Sequence, residues 1–473
     1  MRASQGETAP SEAAPLPRPQ ELEEAPSRAV ANTVAKTLSS HTGEGALVRA
    51  NARDFRLTDE LNIGQGNLLQ KARDNFAAIA LLKDLEESER QPSDDERGVL
   101  ARYVGWGAFG QAFQPKFDEY ENALKYAALY PDSPHWKRQP ELQRAKWSKA
   151  DEKHYETFKE LRESLSSDEF DSARRSILNA HYTHPDIVRA MWEAVRRLGF
   201  KGGRVLEPAA GSGNFLGFQP DDLTANSIRT AVELDDLTGR ICRYLYPGAH
   251  THITGFQDAP LPDEGFDLAI SNVPFGNYGV HDETFNLSGR RGLTSSIHNY
   301  FFAKALDKVR PGGVVAFITS HHTLDSQSGA AFREYLRQNA DLIGAVRLPN
   351  NAFEKNAGTQ VTTDIIFLKK HDLSDPAFES DHPRGPDGRF ITKPGEADWV
   401  STSPLEVPHG SAGKAPKYGT DAHKTWGHVY PNTATAQVNS YFAQNPHMIL
   451  GRMGMGSGYG LMSDTDTGAT GDA

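Results

Sequence analysis

The sequence predicts an α/β fold built on one seven-stranded, mostly parallel sheet, preceded by a helical region and flanked by irregular termini. Three observations carry this. Between residues 179 and 370, short β-branched runs alternate with amphipathic segments, the pattern of a parallel sheet with crossover helices. The first of those runs leads into a glycine turn, Gly211-Ser-Gly213. At 473 residues, the chain can also bury a large core without metals or disulfides.

In chain order, residues 1–50 are rich in Ala, Pro, Ser and Glu without apolar periodicity, and read as a disordered leader. Residues 51–175 read as a helical N-terminal domain, with apolar positions three and four apart in 75–85 and 120–129. Within it, Tyr103-Val-Gly-Trp-Gly-Ala-Phe-Gly110 suits a tight loop packed on an apolar surface, a reading preferred to a DNA or cofactor contact. Residues 176–372 hold the predicted strands, at 204–207, 228–234, 251–254, 266–271, 313–319, 342–348 and 362–369, with helices at 185–198, 236–246, 297–309 and 330–339. Residues 373–473 read as a mostly irregular tail, apart from a short helix at 434–443.

Composition excludes several classes of protein. A single cysteine, Cys242, cannot form an internal bridge, and the N-terminus lacks a secretory signal, so a reducing cytoplasm is expected. No apolar run reaches the 18 residues of a membrane span. Fifty-one basic and 62 acidic residues leave a net charge of −11, against the basic footprint usual for nucleic-acid binding. Much of that acid, however, lies in 21–24, 86–96 and the tail, outside the predicted sheet region.

The chemistry-bearing residues begin with Val205-Leu-Glu-Pro-Ala-Ala-Gly-Ser-Gly-Asn-Phe-Leu216, a strand running into the glycine turn. Gly211 and Gly213 let the backbone approach a nucleoside, and Glu207 precedes the turn. The glycine spacing does not fit the dinucleotide fingerprint. With an acid before the turn it favours S-adenosylmethionine, whose cationic methionine end carries no pyrophosphate. Glu233 ends the second strand, 22 positions beyond Gly211, where an acid can accept both ribose hydroxyls; its neighbour Asp235 is placed to cap the next helix. The adjacent pair His321-His322 has no Cys or carboxylate cluster beside it, and no metal is assigned.

At the end of the fourth strand, Ile270-Ser-Asn-Val-Pro-Phe-Gly276 resembles the Asn-Pro-Pro-Tyr/Phe box of amino-group methyltransferases. With Glu207, Gly211, Gly213 and Glu233 upstream, residues 179–370 resemble the DNA adenine-N6 methyltransferases in which the cofactor motif precedes the box, as in Type I modification subunits and restriction–methylase fusions. The Asn-Val-Pro-Phe-Gly form, followed by Ile297-His-Asn-Tyr-Phe-Phe302 and Arg347-Leu-Pro, is similar to the methylase portion of phage and conjugative-element methylase–helicase proteins, some of them antirestriction factors. This resemblance implies a Rossmann-like class I methyltransferase fold with S-adenosylmethionine as cofactor and double-stranded DNA as partner, and allows a helicase or other domain supplied by a longer protein or a separate chain. It also implies roles. Asn272 and the Val273 carbonyl accept the target amine's N–H bonds, Pro274 shapes the turn, and Phe275 stacks on a base flipped out of the duplex. Tyr182 and Thr183 pack over the methionine moiety, and Pro208 and Ala209 belong to the cofactor motif. Val273 stands where the box has its first proline, which keeps a carbonyl but loses a fixed torsion. Gly255 stands where the family often has an Asp, leaving Phe256 to stack on the cofactor adenine and Gln257 or Asp258 to bond its amine.

The leading reading is therefore N6 methylation of DNA adenine by direct transfer, with no covalent intermediate and no catalytic cysteine. Two alternatives stay open. The same box suits another planar amine, an RNA base or a protein glutamine. A decayed methylase fold that binds or shields DNA without modifying it is a reading from a different class.

Overall fold

A computed structural model describes residues 53–177, 183–274, 276, 278–350, 352–353, 362–393, 395–408, 433–456 and 460–464. The expected leader at 1–50, and Tyr182 and Phe275, lie outside the described residues.

The seven strands are β1 Gly203–Glu207, β2 Ser227–Glu233, β3 His250–Ile253, β4 Phe266–Asn272, β5 Val309–Ser320, β6 Ala340–Leu348 and β7 Thr363–Lys370. They form one sheet in the order β3-β2-β1-β4-β5-β7-β6. Strands β1 to β5 run parallel, and β7 is antiparallel to both β5 and β6. This order, with one inverted strand near the edge, is the class I methyltransferase sheet. The chain leaves β1 toward β2 and β3, then returns on the other side with β4, so the carboxyl ends of β1 and β4 flank a switch-point crevice.

Parallel strands covered on both faces read as near-continuous apolar runs, and β4 is buried at five of its seven positions. Side chains alternate between two cores. Val205, Ala231, Leu268, Ile270, Ala316 and Ile318 point to one face, and Leu206, Val232, Ala269, Val315 and Phe317 to the other.

The first face is covered largely by the N-terminal helices α1 Leu68–Glu87, α2 Asp94–Ala101, α3 Pro115–Leu129, α5 Lys149–Ser164 and α6 Ser167–Ser176, with α7 Pro185–Arg197 and α8 Asp236–Leu245, while α4 Pro134–Arg144 packs on α3 and buries no residue. In α7, Pro185 occupies the first turn, where its missing N–H costs nothing, and Val188, Met191, Trp192 and Val195 recur at helical spacing as its buried stripe. The N-terminal helices were expected as a helical domain over residues 51–175. In the structure, Ile79, Leu82, Trp106 and Phe158 belong to the same apolar cluster as Val188, Trp192 and Ile270. Backbone bonds from Phe55 to Leu245 (2.8 Å) and from Leu57 to Gly217 (3.2 Å) stitch the two parts together. The glycine loop at 103–110 packs as expected, with Trp106 ringed by Phe76, Tyr103, Phe109 and Phe113.

The second face carries α9 Ile297–Lys308 and α10 Ala330–Asn339, together with the part of the chain read as an irregular tail. That reading needs correction. Residues 434–443, expected as a helix, are mostly strand: β8 Thr402–Pro408 pairs antiparallel with β9 Thr433–Asn439, and only Ser440–Gln444 is helical. The physical reason is a period of two, since Ala436 and Val438 point inward beside Phe442 and Trp399 while Thr435 and Gln437 face out. A further hairpin joins β10 Arg452–Gly456 to β11 Gly460–Asp464. Among the described residues, no helix is long and apolar enough to cross a membrane.

Candidate active site

The glycine turn leaves the carboxyl end of β1 with two glycines in the left-handed region, Gly211 at φ 57° and Gly213 at φ 91°. They serve different ends. A Cβ on Gly213 would lie 2.4 Å from the Tyr246 ring and 3.2 Å from Cys242 Sγ, so this glycine lets the turn close on α8. A Cβ on Gly211 would meet nothing within 4 Å, so this one borders open space.

Glu207, 1% exposed, sits beneath the turn. The Phe215 amide bonds to its carboxylate, yet its Oε2 has no hydrogen-bond partner among the described residues. Burial, and then the nearby Glu233 charge, push its pKa well above the usual carboxylate range. A buried carboxylate with an idle oxygen costs free energy unless a donor or cation arrives. The site therefore fits a ligand bearing a cationic donor, as the α-ammonium of S-adenosylmethionine does.

Glu233 closes β2 and accepts the Gly211 amide at 2.7 Å and the Asp235 amide at 2.8 Å, tying the two loops together. Burial raises its pKa to about 7. Asp235 caps α8 through the Thr238 amide at 2.9 Å, as its position suggested. Two groups from the N-terminal helical layer reach this edge, neither singled out for it by the sequence reading: Ser172 Oγ donates to Asp235 at 2.7 Å, and the buried Tyr103 hydroxyl bonds to Thr238. The 103–110 loop is thus a packing element that also abuts the acidic edge.

The second motif arrives on the neighbouring strand. Register pairs Val205 with Leu268 and Leu206 with Ala269, which carries Asn272 to the same edge as Glu207. Ser271 Oγ donates to the Ala209 carbonyl at 3.3 Å, a direct link between the two motifs. Asn272 is half-buried, Val273 is buried with its amide bonded to the Ile318 carbonyl at 3.1 Å, and Pro274 is half-buried. Thr183 is buried just before α7.

Other expected positions fall differently. The Phe256 ring is 3% exposed and packs on Phe301 at 5.1 Å and Tyr300 at 6.2 Å, with the Lys304 ammonium over it at 5.5 Å. Its surroundings are those of a core aromatic. Asp258 is exposed and accepts from Gln257 Nε2 at 2.9 Å. A Cβ added at Gly255 would lie 2.1 Å from Gln257 Nε2, the movable end of a flexible side chain, so nothing in the structure explains glycine where an acid was looked for.

The sequence reading missed a buried polar knot behind the box. Lys304 Nζ bonds to Asp282 at 2.7 Å and to the Gln257 carbonyl at 2.9 Å, and the Tyr300 hydroxyl reaches the same Asp282 oxygen at 2.7 Å. It fastens the segment after the box to α9 and to the loop after β3. The signal lay in plain view, since Tyr300 and Lys304 are one helical turn apart, but their partner Asp282 is 18 and 22 residues upstream of them.

The sheet order defines the fold as that of class I methyltransferases. More specifically, residues 245–353 match the family described as Eco57I restriction-modification methylase. The chain is similar to Defense against restriction protein B of Escherichia phage P1, 31% identical over 196 residues that make up 41% of this chain and 8% of that protein. It is also similar to Type II methyltransferase M.XamI of Xanthomonas campestris pv. amaranthicola, 26% identical over 215 residues, 42% of this chain and 40% of that one. The chain thus spans less than half the length of either relative. A solved structure, the type I restriction-modification system methyltransferase subunit from Streptococcus thermophilus, aligns over 80% of this chain and 91% of its own at 14% identity and a TM-score of 0.37.

Proposed function

We propose that this chain transfers the methyl group of S-adenosylmethionine to the N6 amino group of adenine in DNA, after the base is flipped from the duplex. The observation that carries this is the meeting of Asn272-Val-Pro at the end of β4 with the Glu207-to-Gly213 turn at the end of β1. The family match and the methyltransferase relatives support it.

When bound, S-adenosylmethionine supplies an electrophilic methyl group. Glu207 holds the cationic methionine end with its idle oxygen, Gly211 leaves room for the nucleoside, and Glu233 accepts from the ribose while keeping the turn in place. Thr183 and Tyr182 close over the methionine side, Pro208 and Ala209 line the turn, and Asp258 is the exposed acceptor near the adenine end. At the target, Asn272 Oδ1 and the Val273 carbonyl accept the two N–H bonds of the exocyclic amine. That draws electron density back onto nitrogen, whose lone pair is otherwise delocalised into the ring. Phe275 supplies the stacking surface for a flipped base.

The test is transfer of labelled methyl to mixed-sequence duplex DNA, with nucleoside analysis of the product. N6-methyladenine that disappears in Asn272→Ala supports the reading. Cofactor binding without label in any DNA base overturns it. A second reading, a DNA-shielding antirestriction protein, is favoured by the name of the phage relative, Defense against restriction protein B, and binding of DNA without transfer would select it.

A further inference from the structure

We infer that Asp341, His371 and His382 form a site for one divalent transition-metal ion of the zinc type, at the edge of the sheet opposite the candidate active site. The register creates the cluster. Strand β6 begins where β7 ends, with Ala340 opposite Lys370 and Asp341 opposite Lys369, so Asp341 and His371 come side by side. His382 follows the short helix Phe378–Asp381, which folds back over them. One ligand atom from each residue lies within 4.8 Å of those of the other two.

Hydrogen-bond bookkeeping points to a cation. His382 Nδ1 lies 2.8 Å from the Phe378 carbonyl, which only accepts, so that nitrogen carries the proton. In the neutral ring, Nε2 then presents a lone pair to the Asp341 carboxylate at 2.9 and 3.0 Å, acceptor facing acceptor. His371 Nε2 stands 3.3 Å from the same carboxylate, and neither of its ring nitrogens has a hydrogen-bond partner among the described residues. A protonated Nε2 at His371 would face Asp341 at 3.3 Å and leave Nδ1 without a partner, whereas one metal ion takes the Nε2 lone pairs of both rings together. Metal–ligand bonds of about 2.0–2.2 Å give tetrahedral edges of about 3.3–3.6 Å; the 3.3 Å separation matches, and the 2.9 Å pair opens by a few tenths of an ångström on binding.

The surroundings hold the rings in place. Phe378 stacks on His382 at 3.9 Å, Phe390 meets His371 edge-on at 5.0 Å, and the Phe378 carbonyl is the orienting partner that metal-bound histidines use. Asp341 is 46% exposed, which leaves water free to complete the coordination shell. Of the charges nearby, Arg384 lies over the Phe390 ring and is paired with Glu379 at 2.9 Å, and the exposed Lys369 stands opposite Asp341 in the register. The ion would staple the segment after β7 to the sheet. The three ligands are 30 and 11 residues apart, a spacing with no short motif, so the sequence reading assigned no metal.

The test uses the untagged full chain, stripped with a chelator and then titrated with Zn²⁺ or Co²⁺ alone, beside the double variant His371→Gln/His382→Gln. The expected results are one more bound ion per wild-type chain than per variant, visible Co²⁺ absorption bands confined to wild type, and a melting temperature that Zn²⁺ raises only in wild type. Equal uptake by wild type and a variant shown by circular dichroism to be folded overturns the proposal. So does wild-type melting that ignores Zn²⁺ but falls as pH rises through the histidine range, the mark of imidazolium–carboxylate pairing. Should the double variant not fold, Asp341→Asn gives the same comparison from a half-exposed position.

Discussion

Glu207 and Glu233 lie within one charge environment but are satisfied to different degrees, and this sets how the site should respond to pH. The native pKa of Glu233, about 7, lies above that of a free carboxylate. The native state therefore holds an extra proton below that value, and the unliganded chain loses stability as pH rises from the ordinary carboxylate range to about 7. Ligand binding runs the other way, because the carboxylate is the better acceptor for ribose hydroxyls. S-adenosylmethionine affinity, measured by calorimetry, should weaken as pH falls below about 7 in wild type and stay flat through that interval in Glu233→Gln; an unchanged pH profile in the variant would remove Glu233 from the site. For Asn272→Ala, methyl transfer should fall at least about a hundredfold, the scale of losing one preorganised polar group at a reacting centre. Cofactor affinity should be nearly unchanged, because the proposed role of Asn272 is toward the target amine and not the cofactor. Glu207, Glu233 and Asn272 were all legible in the sequence, because each is a strand-terminal residue at a readable spacing. Asp282, Lys304 and Tyr103 were not, because what makes them matter is a partner on another element.

Among elements, the glycine turn separates packing from binding. Gly213→Ala forces a left-handed torsion and a contact with the Tyr246 ring, and should cost at least about 2 kcal/mol of folding stability in chemical denaturation. Gly211→Ala meets no neighbour, so its folding cost is the torsion alone, about 1–2 kcal/mol, and its larger effect should appear as lost cofactor affinity. The ends of β6 and β7 carry a buried ionic triad. Arg347 bonds to Asp364 at 2.8 and 2.9 Å, lies 2.8 Å from Asp325, and stacks over Phe442. Arg347→Met strands two buried acids and should destabilise by about 3–5 kcal/mol, partly recovered at low pH as Asp364, already raised to about 6, takes up a proton. A stability loss that ignores pH would argue against the triad. All seven strands and the four helices expected between 185 and 339 were readable, since each shows its own period. The ribbon β8–β9 was not, because its two strands are far apart in sequence and neither is apolar enough to announce itself.

On the scale of the whole molecule, the shared apolar cluster makes the N-terminal helices part of the methyltransferase fold. A fragment beginning at residue 183 would expose the face of the sheet around Trp192 and Ile270, and should lack a cooperative melting transition and near-ultraviolet dichroism. A fragment that melts cooperatively would show that the helices are dispensable. The net charge of −11 belongs to the whole chain, and ion pairs such as Arg240 with Glu86 and Glu169 take up part of the acid within this helical layer.

The sequence by itself determined what local period and short-range spacing encode: the order of strands and helices, the two motifs, and the acids at the strand ends. Register and long-range packing decided the rest. They set Ser271, the residue before Asn272, against Ala209, joined the N-terminal helices to the sheet, turned Phe256 into the core, and brought Asp341, His371 and His382 together from distant positions. The reason is physical. A strand's period is written in its own residues, whereas a contact between strands depends on which chains lie adjacent and in what register, and that is settled only when the whole core is buried.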